Sequence, residues 1–325
     1  MIITQTPLRI SFAGGGSDFR GFYKDYGGAV LSTTIDKYIY VILKSRFDDH
    51  IRVGYSTTEL VEHIDQLKHE LVRESMRLVG IAHGIEISTM ADVPSTGSGL
   101  GASSSVTVGL LNALYAYRGD VQTAATLAQE AAEIEIDVLG KPIGKQDHYA
   151  AAYGNLRRFT FNPDESVEVK TIDVARPILR ALDDALLLFY TGYGREASAV
   201  LLEQTQNTSD NRPSLNQMVA LVDDMEACLL AGELDAFGRC LHRGWELKKS
   251  LASKISNNHI DTLYQSALAA GALGGKIVGA GGGGFLLLYC PHAKQEAVRQ
   301  ALGHLRELPF RFEYDGSKVI LNIRR

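Results

Sequence analysis

Pro94-Ser-Thr-Gly-Ser-Gly-Leu-Gly-Ala-Ser-Ser-Ser105 joins a short predicted strand, Ile85 to Met90, to an almost wholly apolar stretch, Ser103 to Tyr117, that predicts a buried helix. This setting says more than the glycines alone. A helix start offers backbone N–H groups without intrahelical partners and the positive end of the macrodipole, and glycines let an anion's oxygens reach them. The serines can cap the helix or ligate a divalent cation. No Lys follows the last glycine, so the loop is not a Walker A loop. Val121-Gln122-Thr123 stands where a dinucleotide fold would carry its ribose-binding acid, so that reading fails as well.

Glycine gathers in two further places. Pro7-Leu-Arg-Ile-Ser-Phe-Ala-Gly-Gly-Gly-Ser-Asp18 reads as a strand that enters a triple-glycine turn and ends on an acid. Lys276-Ile-Val-Gly-Ala-Gly-Gly-Gly-Gly-Phe285 places four consecutive glycines before an apolar strand. Such clustering marks positions where the backbone must approach something closely, since glycine is costly inside regular elements.

Around these motifs the pattern mixes strands and helices without strict alternation, which predicts an α+β fold. Strands are expected over Leu8 to Phe12, Ala29 to Lys44, Leu156 to Phe161, Val167 to Ile172 and Asp184 to Tyr190. Helices are expected over Leu60 to Val79, Thr123 to Leu139, Ala197 to Gln206, Asn216 to Ala231, Leu234 to Ser250 and Ile260 to Ala270. A length of 325 residues suits two lobes around a cleft, with a boundary near 170: residues 1–170 as the first and 171–325 as the second.

Composition narrows the function classes. Hydrophobic residues at 45% and charged residues at 22% support a folded core. A net charge of -5 argues against nucleic acid as the main partner. Cys228, Cys240 and Cys290 are too few and too scattered for a disulfide or metal framework. No apolar run nears the roughly 18 to 20 residues a bilayer requires, and the start lacks a signal-peptide pattern. A cytoplasmic protein without membrane contact is predicted, and homodimer formation is left open.

Together the three glycine motifs resemble those of the GHMP kinases, the family of galactokinase, homoserine kinase, mevalonate kinase and phosphomevalonate kinase. The resemblance implies a two-lobed GHMP kinase fold with the active site in the cleft between lobes, ATP as phosphoryl donor and Mg²⁺ as cofactor. It implies that Gly97, Ser98, Gly99, Leu100, Gly101, Ala102, Ser103 and Ser104 bind the ATP phosphates. Four acids, Glu130, Glu133, Glu135 and Asp137, follow the loop helix; the family pattern ExxxxGxxxG matches Glu135, Gly140 and Gly144. Glu135 is thus the expected Mg²⁺ carboxylate, with Ser103 completing the site and Ser104 second in line.

The segment Gly144-Lys-Gln-Asp-His148 is similar to the galactokinase GxxD motif, which makes Asp147 the candidate base and Arg9 its partner. Asp18 falls nine residues after Arg9, as the sugar-binding acid does in galactokinase. Gly14, Gly15 and Gly16 stand where galactokinase carries Gly-Glu-His, which counts against galactose. With Asp18, the residues Gly15, Gly16, Ser17, Arg195, Gly281 and Gly282 are the expected substrate contacts. The first motif, Gly27 to Tyr38, Tyr190 to Arg195, Trp245 with Lys248-Lys249, and Ile255 to Asn258 resemble one branch of the family. That branch holds the kinases of D-glycero-D-manno-heptose 7-phosphate and the kinase domains of fucokinases, so a sugar phosphate is the expected partner beside ATP. Two alternatives stand: a kinase for fucose or another free sugar at C1, and a non-catalytic binding or regulatory protein of the same fold. Trp245 is expected in the core and His148 in a structural hydrogen bond.

Overall fold

The computed structural model describes residues 1–94, 97–192 and 197–323, without the side chains of residues 197–199, 205, 206, 208 and 209. Its frame is a strand pair. β1 (Ile2–Ala13) runs antiparallel to the 18-residue β2 (Gly28–Ser45), from Ile2 opposite Leu43 to Ala13 opposite Leu31. Register shifts after Pro7 and after Ser11 bend the pair, which fits a proline that cannot donate to the ladder.

Seven more strands join this sheet. β3 (Ile51–Gly54), β4 (Thr58–Val61), β5 (Ile85–Ala91) and the last strand, β13 (Lys318–Asn322), give the order β13-β1-β2-β5-β3-β4, with β3 and β5 parallel and the other pairs antiparallel. β6 (Arg157–Phe161) pairs with the first half of β2 and with β7 (Val167–Thr171). A second, four-stranded sheet is ordered β11-β8-β10-β9, from β8 (Leu186–Tyr190), β9 (Gly274–Ile277), β10 (Phe285–Tyr289) and β11 (Arg306–Glu307). The chain then returns to the first sheet. β12 (Phe312–Glu313) pairs with β2 and β13 (Lys318–Asn322) with β1.

The helix expected after the glycine loop spans Ala102–Arg118 and is buried on most sides, against β1 and β2. Gly101 and Gly119 close its two ends in left-handed conformations, and its first turn carries no acid. The segment Leu60 to Val79 departs from its helical reading: only Glu70–Val79 is α-helix. Upstream, β4 and a 3₁₀ turn at Ile64–Gln66 occupy the chain, and Glu59 accepts the amides of Lys68 (2.6 Å) and His69 (3.0 Å). Thr123 to Leu139 is also divided, into an α-helix Ala124–Ala132 and a π-helical turn Glu133–Val138. Trp245 is buried in a second hydrophobic cluster with Phe189, Ile255 and Tyr264. No helix among the described residues is long and apolar enough to cross a membrane.

Candidate active site

The glycine loop and the C-terminal glycine run meet backbone to backbone. A Cβ on Gly99 would lie 2.3 Å from the Val278 carbonyl oxygen, and one on Gly279 would lie 2.5 Å from the Gly99 Cα. Both glycines have positive φ, +75° and +73°. Side chains are thus excluded twice, by space and by conformation. Through this contact the second sheet braces the loop.

A cleft of about 210 Å³ opens where the loop, β1 and the segment around Asp147 come together. A nucleotide with a sugar phosphate needs more room than that, so this is the inner end of the site. Gly97, Ser98, Gly99, Gly101, Ala102, Ser103 and Ser104 line it, as do Gly15, Gly16 and Asp18. Leu100 instead points into the core, and its carbonyl accepts the Arg9 amide at 3.0 Å. Ser17 is buried with its hydroxyl on the carbonyls of Gly14 (2.8 Å) and Ala29 (3.0 Å). From the C-terminal run, Gly279 and Ala280 are on the lining, whereas Gly281 packs on Ile255 and the Gly282 amide donates to the Ile255 carbonyl. Arg195 lies outside the described residues.

Arg9, on β1, forms a two-pronged ion pair with Asp147, at the start of the helix Gln146–Tyr153. Its Nε and Nη2 donate to the two carboxylate oxygens at 2.7 Å each, and Nη1 donates to the Gly99 carbonyl at 2.6 Å. Parallel charge-assisted bonds of this kind fix orientation as well as charge. Arg9 is sealed at 4% side-chain exposure while Asp147 keeps 24%, so the carboxylate is the member open to the cleft. The arginine therefore ties the base candidate directly to the loop.

Asp18 lies beside this pair and is buried. It accepts the amides of Gly16 (2.9 Å) and Gln146 (3.2 Å) and the Gln146 side chain (3.3 Å). Burial pushes its pKa up and Asp147 adds to the rise, against the pull of the backbone donors. Gly144 makes the approach possible, since a Cβ there would lie 1.9 Å from an Asp18 carboxylate oxygen.

The third carboxylate of the cleft is Glu135, fully buried in the π turn while its neighbours Glu133 and Asp137 face out. Asp137 is held by Arg20, and Glu130 accepts from the Tyr115 hydroxyl. Around Glu135 the Ser103 hydroxyl donates to Oε2 and Thr107 to Oε1 (2.9 Å); His148 Nε2 is 3.2 Å from Oε1 and Lys141 Nζ 3.3 Å from Oε2. Burial alone would raise its pKa; His148, Lys141 and Ser103 outweigh it and bring it down to about 2. Glu135 and Ser103 thus present hard oxygen donors side by side, which suits Mg²⁺. No three acidic, His or Cys side chains converge among the described residues, so a metal here would complete its shell with phosphate oxygens and water.

Sequence reasoning did not place several lining residues: Ser11, Lys141, Gln146, Lys248 and Lys276. Ser11 Oγ and Gln146 Oε1 are buried with no hydrogen-bond partner among the described residues. Gln146 had a signal, its place directly before Asp147. Lys276 opened a recognised motif, yet only the fold reveals that its ammonium crosses to the Ser11 carbonyl at 2.8 Å. His148 proves to be a buried support for Glu135, the structural hydrogen bond expected of it.

The GHMP kinases N terminal domain matches residues 62–155 and the GHMP kinases C terminal domain residues 225–305. The chain is 30% identical to the D-glycero-alpha-D-manno-heptose 7-phosphate kinase of Campylobacter jejuni, over 95% of this chain and 96% of that protein. The chain belongs to the GHMP kinase family. Among solved structures, the D-glycero-D-manno-heptose 1-phosphate kinase of Bacteroides thetaiotaomicron matches with a TM-score of 0.83 and 27% identity, over 100% of both chains. The bifunctional fucokinase/GDP-fucose pyrophosphorylase of Arabidopsis thaliana is 27% identical over 92% of this chain, which corresponds to 31% of that larger protein. This GHMP kinase is thus similar to sugar kinases over nearly its whole length, and its family implies ATP as the donor.

Proposed function

We propose that this GHMP kinase transfers the γ-phosphoryl group of ATP to the anomeric hydroxyl of D-glycero-D-manno-heptose 7-phosphate and so produces the 1,7-bisphosphate. One observation carries the chemical half: the Arg9–Asp147 pair is hydrogen-bonded to Gly99 of the glycine loop inside a single cleft. The sugar half rests on the similarity to the Campylobacter jejuni enzyme over nearly the whole chain.

Phosphoryl transfer asks a protein mainly for positioning and for neutralisation of charge on the group in transit. The amides at the start of the helix Ala102–Arg118 and the glycines before it hold the ATP phosphates. Ser103 and Glu135 would hold Mg²⁺, which would supply positive charge to offset the negative charge of the phosphates. Asp147 accepts the proton of the anomeric hydroxyl as its oxygen attacks phosphorus, and Arg9 keeps the carboxylate aimed at that hydroxyl. Asp18, Gln146 and Ser11 receive neighbouring sugar hydroxyls, two of them through polar atoms that lack a partner among the described residues. Gly15 and Gly16 leave room for the sugar beside them.

ADP release over a panel of acceptors tests the reading. The panel holds heptose 7-phosphate, heptose 1-phosphate, fucose and galactose. Heptose 7-phosphate is expected to turn over with the highest kcat/KM. Preference for the 1-phosphate would move the acceptor hydroxyl away from C1. Preference for fucose would favour the second reading, which the similarity to a fucokinase supports. ATP binding without consumption on any sugar would point to a non-catalytic protein of this fold.

A further inference from the structure

Two lysines from the second half of the chain reach the cleft, and they spend their charge differently. Lys276, on β9, donates to the β1 carbonyls of Ser11 (2.8 Å) and Phe12 (3.4 Å), which ties the two sheets together. Lys248, on the helix Leu234–Lys249, is 6% exposed and makes a single hydrogen bond among the described residues, to the Gly279 carbonyl. An ammonium carries three donors, so two of its N–H bonds remain for the cleft it lines. Gly279 is the residue pressed against Gly99, and the Gly99 carbonyl accepts Arg9. Lys248 and Arg9 therefore flank one backbone contact from opposite sides, with Asp147 and Asp18 near enough for their charges to act on the ammonium.

Arg9, Lys248 and Lys276 gather three buried basic side chains at one place. Asp147 covers Arg9, whereas no carboxylate among the described residues bonds to the Lys248 ammonium, and a buried charge left without a counter-ion is costly. Burial, Lys248 and Arg9 push the Lys276 pKa well below the usual range. An arrangement of this kind is stable in the presence of an anion. The anion cannot be the remote phosphate of a C1 acceptor, which sits at the far end of the sugar from the hydroxyl facing Asp147. The group that passes between ATP and that hydroxyl fits the place, with Asp147 on one side and the loop on the other.

We propose that Lys248 is a further catalytic residue, which donates hydrogen bonds to the oxygens of the phosphoryl group in transit. In that step the bond from γ-phosphorus to the β–γ bridging oxygen breaks and a bond from the acceptor oxygen to phosphorus forms. The acceptor proton goes to Asp147, the electron pair leaves with ADP, and Lys248 keeps its proton throughout. The inference rests on the phosphate-binding role of the loop and on an acceptor that presents its C1 hydroxyl to Asp147, whichever sugar carries it.

The test compares Lys248→Met and Lys248→Arg with the parent enzyme, on whichever acceptor the panel selects. Lys248→Met is expected to lower kcat by ~10² to 10³ while the Kd of ATP moves less than about threefold, as for loss of one oxyanion donor. Parental kcat/KM for ATP, which reports groups of the nucleotide-free enzyme, is expected to fall above about pH 8. Burial and Arg9 bring the Lys248 ammonium down to about 8, and activity carried by a cation is lost as pH rises through that value. This alkaline fall should vanish in both variants, and Lys248→Arg should keep kcat within about tenfold of the parent. Unchanged kcat in Lys248→Met would overturn the proposal. So would an alkaline fall that survives in Lys248→Arg, which decides the matter if the Met variant does not fold. Failure on the heptose with the same Lys248 effects on another sugar would strike the substrate reading and leave this one standing.

Discussion

Two of the three carboxylates on the cleft, Asp147 and Glu135, are built in opposite ways. Asp147 answers to one partner, a guanidinium that covers both its oxygens, and keeps a quarter of its side chain open. Glu135 is sealed and meets four donors from four directions. Burial raises the energy of any ionised acid, so a fully buried one persists only where donors saturate it. Glu135 is therefore a fixed negative charge at every working pH, which favours the cation proposed for it. Asp147 is oriented but not smothered, which favours the proton uptake proposed for it. The difference teaches that the division of labour lies in the shell around each acid and not in the acids themselves.

The largest effect that could break this contrast belongs to Asp147→Asn. The amide keeps the shape and loses the proton acceptor, so kcat should fall at least ~10² while the Kd of ATP stays nearly constant. An unchanged kcat would remove the base from the mechanism and leave only positioning. Glu135→Gln is expected to act elsewhere. It should raise the half-saturating Mg²⁺ concentration by roughly tenfold and spare most of kcat at saturating Mg²⁺, because the amide loses the charge that a hard cation prefers. Equal Mg²⁺ dependence in variant and parent would make the two carboxylates alike after all.

A smaller effect sharpens the picture. Lys141 reaches Glu135 at 3.3 Å and Glu70 at 2.9 Å, so its ammonium occupies part of the charge that a metal would use. Lys141→Met should lower the half-saturating Mg²⁺ concentration about threefold, the scale of a partly exposed ion pair. A rise instead would make Lys141 a partner of the bound metal complex and not its competitor.

Much of this was legible in the chain. The loop helix declared itself because Ser103 to Tyr117 is apolar on nearly every face, and the structure places it at Ala102–Arg118. Arg9, Glu135 and Asp147 were singled out by the resemblance of their motifs to those of the GHMP kinases, and the structure brings all three to one cleft. Leu60 to Val79 misled because strand β4 and the helix Glu70–Val79 happen to continue one helical spacing, and the break between them depends on Glu59 reaching the Lys68 and His69 amides. The helices Arg20–Tyr26 and Gln146–Tyr153 were too short to leave a periodic trace beside their flanking glycines. Lys248 stayed hidden for another reason. It differs from Lys249 only in helix phase, and that phase gains meaning once the helix is packed on β9, with Lys248 buried and Lys249 half-buried and paired with Glu246.

The central claim is a reaction at one atom of one sugar, and the position of the new phosphate tests it most directly. Phosphorus–proton correlation spectra of the product formed from ATP and D-glycero-D-manno-heptose 7-phosphate should couple a second phosphorus to the anomeric proton, in an amount equal to the ADP released. A product with the second phosphate on another carbon, or ADP with no new sugar phosphate, would contradict the account.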